Sequence, residues 1–272
     1  TAIIKACKDF RGSYAFGVIF DNDTSSIYAT RKDSPLIIGV GENENFIASD
    51  VSAILDYTKE YILLEEGEFA QITNTSIDIF DSNLKKITKG INTATWSANK
   101  YKKNGYDHFM LKEIYEQPKV VKDNISSRFS DDGKSIKLDG IKLGKKELEN
   151  INRIYIVACG TAFYAGQVGK FLIERIARIP VNSEVASEFR YKDPLIDEHT
   201  LMIVVSQSGE TADTLAAMRL AQSKGARVLG VVNAVGSSIA READDVLYTL
   251  AGPEIAVAST KAFSAQVVAM YL

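Results

Sequence analysis

From Arg153 onward, short apolar runs alternate with segments of helical period, and no other feature limits the possible folds as strongly. Residues 154–158, 201–205, 227–232 and 246–250 are short and largely apolar, and residues 181–185 read as a further strand. Strands covered on both faces read this way, whereas strands with one wet face alternate. Between them, residues 163–178, 187–191, 212–223 and 237–242 carry helical spacing. Helices that separate successive strands favour parallel pairing through crossovers. The expectation is an α/β fold over 151–272, with a doubly wound parallel sheet of five strands.

The preceding residues follow another rule. Runs at 14–20, 27–30, 35–40, 45–48, 60–64, 68–73 and 77–80 are β-rich and separated by turn residues such as Asp21-Asn22-Asp23. They read as hairpins, so residues 1–90 are expected to be largely antiparallel β. One capped helix is expected at 49–55, which opens with Ser49-Asp50. Between Lys85 and Tyr106 periodicity is lost and Lys, Asn, Thr and Gly accumulate, as in a linker. A helix over 108–117 should stop at Pro118, with a second over 119–127, so 91–150 reads as linker and connecting helices. The 272 residues, at roughly 150 per domain, fit two domains.

Composition removes several classes of function. Lys and Arg number 32 against 35 Asp and Glu, which leaves no basic surplus for a nucleic-acid backbone. Cys7 and Cys159 form no C-x-x-C pair, and with only His108 and His199 no usual zinc ligand set can be assembled. No apolar run reaches the ~18 residues of a membrane span, and no signal-peptide pattern opens the chain, so a cytoplasmic protein is expected. Both ends read as cut: the chain starts at Thr1 and finishes in an uncapped apolar helical run at 265–272.

In open parallel sheets ligands sit outside the carboxyl ends of the strands. Three loops there could carry chemistry: Cys159-Gly160-Thr161-Ala162, Ser206-Gln207-Ser208-Gly209-Glu210-Thr211 and Val257-Ala258-Ser259-Thr260-Lys261. The second places three hydroxyls and a flexible glycine directly before a helix, where unpaired N–H groups and the helix dipole attract an anion. The alternative is that Ser and Thr merely cap that helix. Neither G-x-G-x-x-G nor G-x-x-x-x-G-K-[ST] occurs, which disfavours dinucleotides and nucleoside triphosphates and leaves a compact monophosphate. No cofactor is expected. His199, in a polar turn, reads as an exposed residue, and Lys261 as a structural or helix-start charge.

Four segments in order, Cys159-Gly160-Thr161, the run ASEFRY at 186–191, SQSGETADTL at 206–215 and VASTKAF at 257–263, resemble the first sugar-isomerase (SIS) domain of the glutamine–fructose-6-phosphate aminotransferases. Upstream, FIASD at 46–50, LEEGE at 64–68 and KEIYEQP at 112–118 are similar to the late glutaminase region and interdomain connection of that family. The resemblance implies that residues 1–90 are the C-terminal part of an Ntn-type glutaminase domain and that 151–272 are the first SIS domain. It implies an enzyme that takes ammonia from glutamine and converts fructose 6-phosphate to glucosamine 6-phosphate, as a homodimer. Carried over residue by residue, Ser206, Gln207, Ser208 and Thr211 hold the phosphate, Thr161 contacts the sugar, and Val257 and Ser259 line the pocket. Plain packing is the other reading of Val257.

The family's N-terminal nucleophilic cysteine and its second SIS domain do not occur in this sequence, and Cys7 is not that nucleophile. No catalytic residue is therefore assigned, and the chain alone is expected to be inactive. Ala162 stands where many relatives have Ser. A sugar-phosphate sensor or a SIS deglycase is the competing reading, although neither needs the β-rich residues 13–80.

Overall fold

The computed structural model describes residues 2–94, 103–130 and 132–272. The chain divides into two units, Thr1–Lys102 and Lys103–Leu272.

In the first unit a short helix, α1 (Ala2–Cys7), precedes two antiparallel sheets. One has the order β1 (Tyr14–Phe20), β2 (Asp23–Lys32), β6 (Phe69–Ile72), β7 (Ile77–Phe80), β8 (Lys86–Ile87). The other has the order β4 (Asn45–Ala48), β3 (Ile37–Val40), β5 (Glu60–Leu63), β9 (Asn92–Thr93). Ala29, Ala70, Ile72 and Ile79 from the first sheet meet Ile38 and Ile62 from the second in one core. Successive strand residues face opposite ways, so Ile37 and Leu63 point to the far side of the second sheet, where Val51, Ile54 and Leu55 cover them.

Two expectations fail here. The helix expected over 49–55 is only a 3₁₀ turn, Val51–Ala53, with Ile54 N–H donating to Val51 O at 3.1 Å. So short a run cannot repay the cost of nucleating an α-helix. The aperiodic stretch also contains strands: β8 pairs with β7 and β9 with β5. Two-residue strands are too short to show a period, which is why they read as linker. Residues 95–102 of that stretch lie outside the described residues.

The second unit opens with α2 (Phe109–Ser126), one continuous helix with Pro118 inside it. The two-helix expectation is thus corrected. Pro118 has no N–H to offer the Ile114 carbonyl, and the Gln117 side-chain amide donates to that oxygen instead, at 3.2 Å. α3 (Lys145–Asn150) follows; its Lys-Lys-Glu-Leu-Glu-Asn sequence carries a single apolar residue and gives no periodic signal.

Five parallel strands then form the sheet: β10 (Arg153–Ala158), β11 (Val181–Val185), β12 (Thr200–Ser206), β13 (Arg227–Val232) and β14 (Asp245–Tyr248). Their spatial order is β11-β10-β12-β13-β14. Intervening helices are α4 (Gly160–Ile176), α5 (Ala186–Phe189), α6 (Ala212–Ser223), α7 (Ser238–Glu242) and, last, α8 (Lys261–Tyr271). Tyr155, Val157, Met202, Val204 and Val228 pack against Phe189, Leu215, Met218 and Ile239 of α5, α6 and α7. On the other face Ile154, Ile156 and Ile203 share a core with Ala162, Phe163, Ala269 and Met270 of α4 and α8. Both faces are covered, which is the cause of the near-continuous apolar runs. From β10 the chain moves to β11 on one side and returns to β12 on the other, so the order reverses between β10 and β12. A ligand crevice belongs at the carboxyl ends of those two strands.

Candidate functional site

The loops leaving β10 and β12 lie side by side, because Ala158 is in register with Val205. Thr214 of α6 approaches Cys159, with Oγ1 4.0 Å from Sγ. Thr161 sits exposed in the first turn of α4.

Residues 206–211 fold as a compact turn. Ser206 is buried at the end of β12, and its Oγ accepts from Gly209 N–H at 3.0 Å and lies 3.1 Å from Thr211 Oγ1. One proton serves the bond between these two hydroxyls and the other is left to donate elsewhere. Exposed Ser208 accepts from Glu210 N–H at 3.2 Å through its Oγ, which likewise keeps the hydroxyl proton for a ligand. Thr211 is the N-cap of α6 but makes no side-chain cap hydrogen bond. Its hydroxyl is turned to Ser206, so the capping-only reading of this loop does not describe Thr211. First-turn amides of a helix with no side-chain cap are donors suited to an anion.

The loop is held from behind. Gln207 is half-buried, and its carbonyl accepts from the N–H groups of Asn233 and Ala234, both at 3.2 Å. Gly209 O accepts from Ile239 N–H at 3.0 Å. Glu210 caps α7, receiving Ser238 N–H and Ser238 Oγ–H, both at 2.8 Å. In the first turn of α6, Asp213 lies 3.8 Å from Arg190, which offsets a negative charge that an anion there would meet.

The third loop leaves β14. Val257 projects fully into solvent, with 106% relative exposure, so packing does not account for it. Ser259 donates to Glu254 Oε2 at 2.9 Å, which commits its proton and leaves its lone pairs. Glu254 also receives Thr260 N–H at 2.8 Å and Ala262 N–H at 3.0 Å, and so caps α8. Lys261 is buried as the first residue of α8 and pairs with Glu116 at 2.6 Å. His199 is exposed, with Nδ1 3.2 Å from the Asn150 carbonyl.

Ser206, Ser208 and Thr211 are thus gathered in one turn and Thr161 on the neighbouring loop, whereas Val257 and Ser259 belong to a loop two strands away. Asn233 joins the two regions, a role that sequence reasoning missed. Its N–H binds Gln207 O, while its side chain donates to Gly252 O at 2.7 Å and accepts from Ala251 N–H at 2.8 Å. Asn233 is the first residue after β13, and its place at the carboxyl edge was the available signal.

A separate cavity of about 610 Å³ is lined by Leu138, Ile203, Val231, Leu247 and Met270, among others. Its side chains are apolar apart from Tyr271, so it offers a phosphate no charged side chain. Among the described residues there is no grouping of His, Cys, Asp and Glu that could hold a metal ion, and no helix long and apolar enough to cross a membrane.

The SIS domain family matches residues 147–272. Along 271 residues, all of this chain, the sequence is 59% identical to the glutamine–fructose-6-phosphate aminotransferase [isomerizing] of Clostridium tetani, of which it covers 44%. The chain belongs to the glutamine–fructose-6-phosphate aminotransferase family. A more distant member, from a strain of Thermus thermophilus, is 46% identical over 271 residues, again with 44% of its length covered. The chain therefore spans less than half the length of these aminotransferases. Among solved structures, the C-terminal domain of the Francisella tularensis glucosamine-fructose-6-phosphate aminotransferase matches with a TM-score of 0.59 and 44% identity, over 62% of this chain and 48% of that one.

Proposed function

We propose that the turn at 206–211 binds the phosphate of fructose 6-phosphate or glucosamine 6-phosphate, within an enzyme that forms glucosamine 6-phosphate and glutamate from fructose 6-phosphate and glutamine. The observation that carries this reading is the N-terminus of α6: its amides have no side-chain cap, and the hydroxyls of Ser206, Ser208 and Thr211 surround it. Gln207 completes the phosphate set, Thr161 contacts the sugar, and Val257 and Ser259 line its far side. In the same reading residues 1–90 are the late part of a glutaminase domain, 91–150 connect, and 151–272 are the first SIS domain. The working enzyme is a cytoplasmic homodimer. Similarity to aminotransferases along the whole chain, β-rich unit included, supports this assignment over a sensor or deglycase.

Calorimetry on single variants tests the site. Ser208→Ala or Thr211→Ala should weaken fructose 6-phosphate binding by about 1–3 kcal/mol, the range for one hydrogen bond to a charged partner. Unchanged affinity in both variants, with the fold intact, would show that this turn is not the phosphate site.

A further inference from the structure

The KEIYEQP segment lies in α2 and is not part of the loops at the strand ends, yet three of its side chains reach residues 255–264. Glu113 is 1% exposed, and its Oε1 accepts from Ile255 N–H at 2.6 Å and Ala256 N–H at 3.3 Å, with Oε2 also 3.3 Å from Ala256 N. Glu116 pairs with Lys261 at 2.6 Å, and Gln117 Oε1 accepts from Ser264 Oγ at 2.5 Å. Positions 113, 116 and 117 share one helix face, since residues three and four apart are neighbours. Further along, Arg128 donates to the carbonyl of Tyr248, where β14 ends, and Val120 packs with Ala251, Ala262 and Ala265. α2 thus lies along the whole β14–α8 connection.

We infer that Glu113 is a positioning residue for sugar recognition: its buried carboxylate fixes the backbone at 255–256 and thereby sets where Val257 and Ser259 stand. A buried carboxylate is costly to place unless its oxygens are satisfied. Here loop amides supply that satisfaction, so the loop and the charge depend on each other. Val257, two residues beyond the bonded amide of Ile255, has no packing of its own to hold it. The turn at 206–211 is also held by Ile239 and Ser238 of α7, which are separate from the loop that Glu113 holds. Loss of Glu113 should therefore impair recognition of the sugar while sparing recognition of phosphate. This inference rests on the proposed sugar-phosphate site.

The test is calorimetry on the 272-residue chain with two probes, fructose 6-phosphate and inorganic phosphate, together with amide hydrogen exchange at Ile255 and Ala256. Glu113→Ala should weaken fructose 6-phosphate about tenfold, the scale of one hydrogen bond to a charged group, and speed exchange at both amides, with phosphate affinity unchanged. Glu113→Gln keeps an amide oxygen that can accept from both N–H groups, and should fall between Glu113→Ala and wild type. Equal affinities in a folded Glu113→Ala, or parallel weakening of both probes, would overturn the role. If Glu113→Ala does not fold, Glu113→Gln decides by the same criterion: selective loss of fructose 6-phosphate supports the inference, and parallel or absent loss overturns it. A wild-type chain that binds neither probe overturns the site itself, whereas one that binds both while the variants match it overturns only Glu113.

Discussion

Gly209 shows how closely the turn at 206–211 is fitted to its surroundings. Its φ is +66°, in the left-handed region that costs other residues about 1–2 kcal/mol, and a Cβ there would stand 2.0 Å from Ser237 Oγ. Gly209→Ala should therefore lower the melting temperature and weaken fructose 6-phosphate binding at least about tenfold, since strain and overlap act together. Adding Ser237→Gly removes the overlap but not the φ, so the double variant should recover part of the loss. Wild-type stability and affinity in Gly209→Ala would mean that the turn tolerates another shape. Ser206, Ser208 and Thr211 were legible in sequence because hydroxyls stand between an apolar run and a helix. Asn233, Ser237 and Glu210 were not, because polar residues are common in every loop and theirs matter only through what lies opposite them.

At the scale of elements, β14 carries a buried charge at its first residue. The Asp245 side chain is fully buried, and Arg227 Nε contacts it at 2.7 Å while Lys142 N–H donates to it at 2.5 Å. Burial alone would raise the Asp245 pKa, but these hydrogen bonds outweigh it and leave the group below its ordinary value. A carboxylate with a depressed folded pKa contributes stability that is present above its unfolded value, near ~3.9, and is lost as pH falls through the folded value. Removing it should flatten the acid limb of the stability curve below about pH 4. Asp245→Asn tests this by urea unfolding across pH: it should be less stable than wild type near neutrality, with the difference shrinking in acid. A difference that stays constant with pH would rule out this contribution. Strands β10 to β14 were readable as short runs between helical segments, and helix α6 from its period. The continuous α2 was not, because the sequence shows Pro118 but not that Gln117 turns back to satisfy the freed carbonyl.

For the molecule as a whole, the change from short antiparallel runs to alternating strands and helices was legible from Arg153 onward, but the second unit already starts at Lys103, and β8 and β9 are too brief for any pattern to reveal. A doubly wound sheet implies a reversal of strand order, but its place between β10 and β12 was hidden, since strand sequences do not state their neighbours. That reversal is what gives the hydroxyl-rich turn its place beside Thr161. In the proposed function this crevice holds a sugar phosphate chiefly by its phosphate. Calorimetric titration of the chain with fructose 6-phosphate, glucose 6-phosphate and unphosphorylated fructose separates the contribution of the phosphate from that of the sugar. The two phosphates should bind within about tenfold of each other, a gap of roughly 1.4 kcal/mol, and fructose at least about a hundredfold more weakly than either. Fructose binding as tightly as fructose 6-phosphate would contradict the claim.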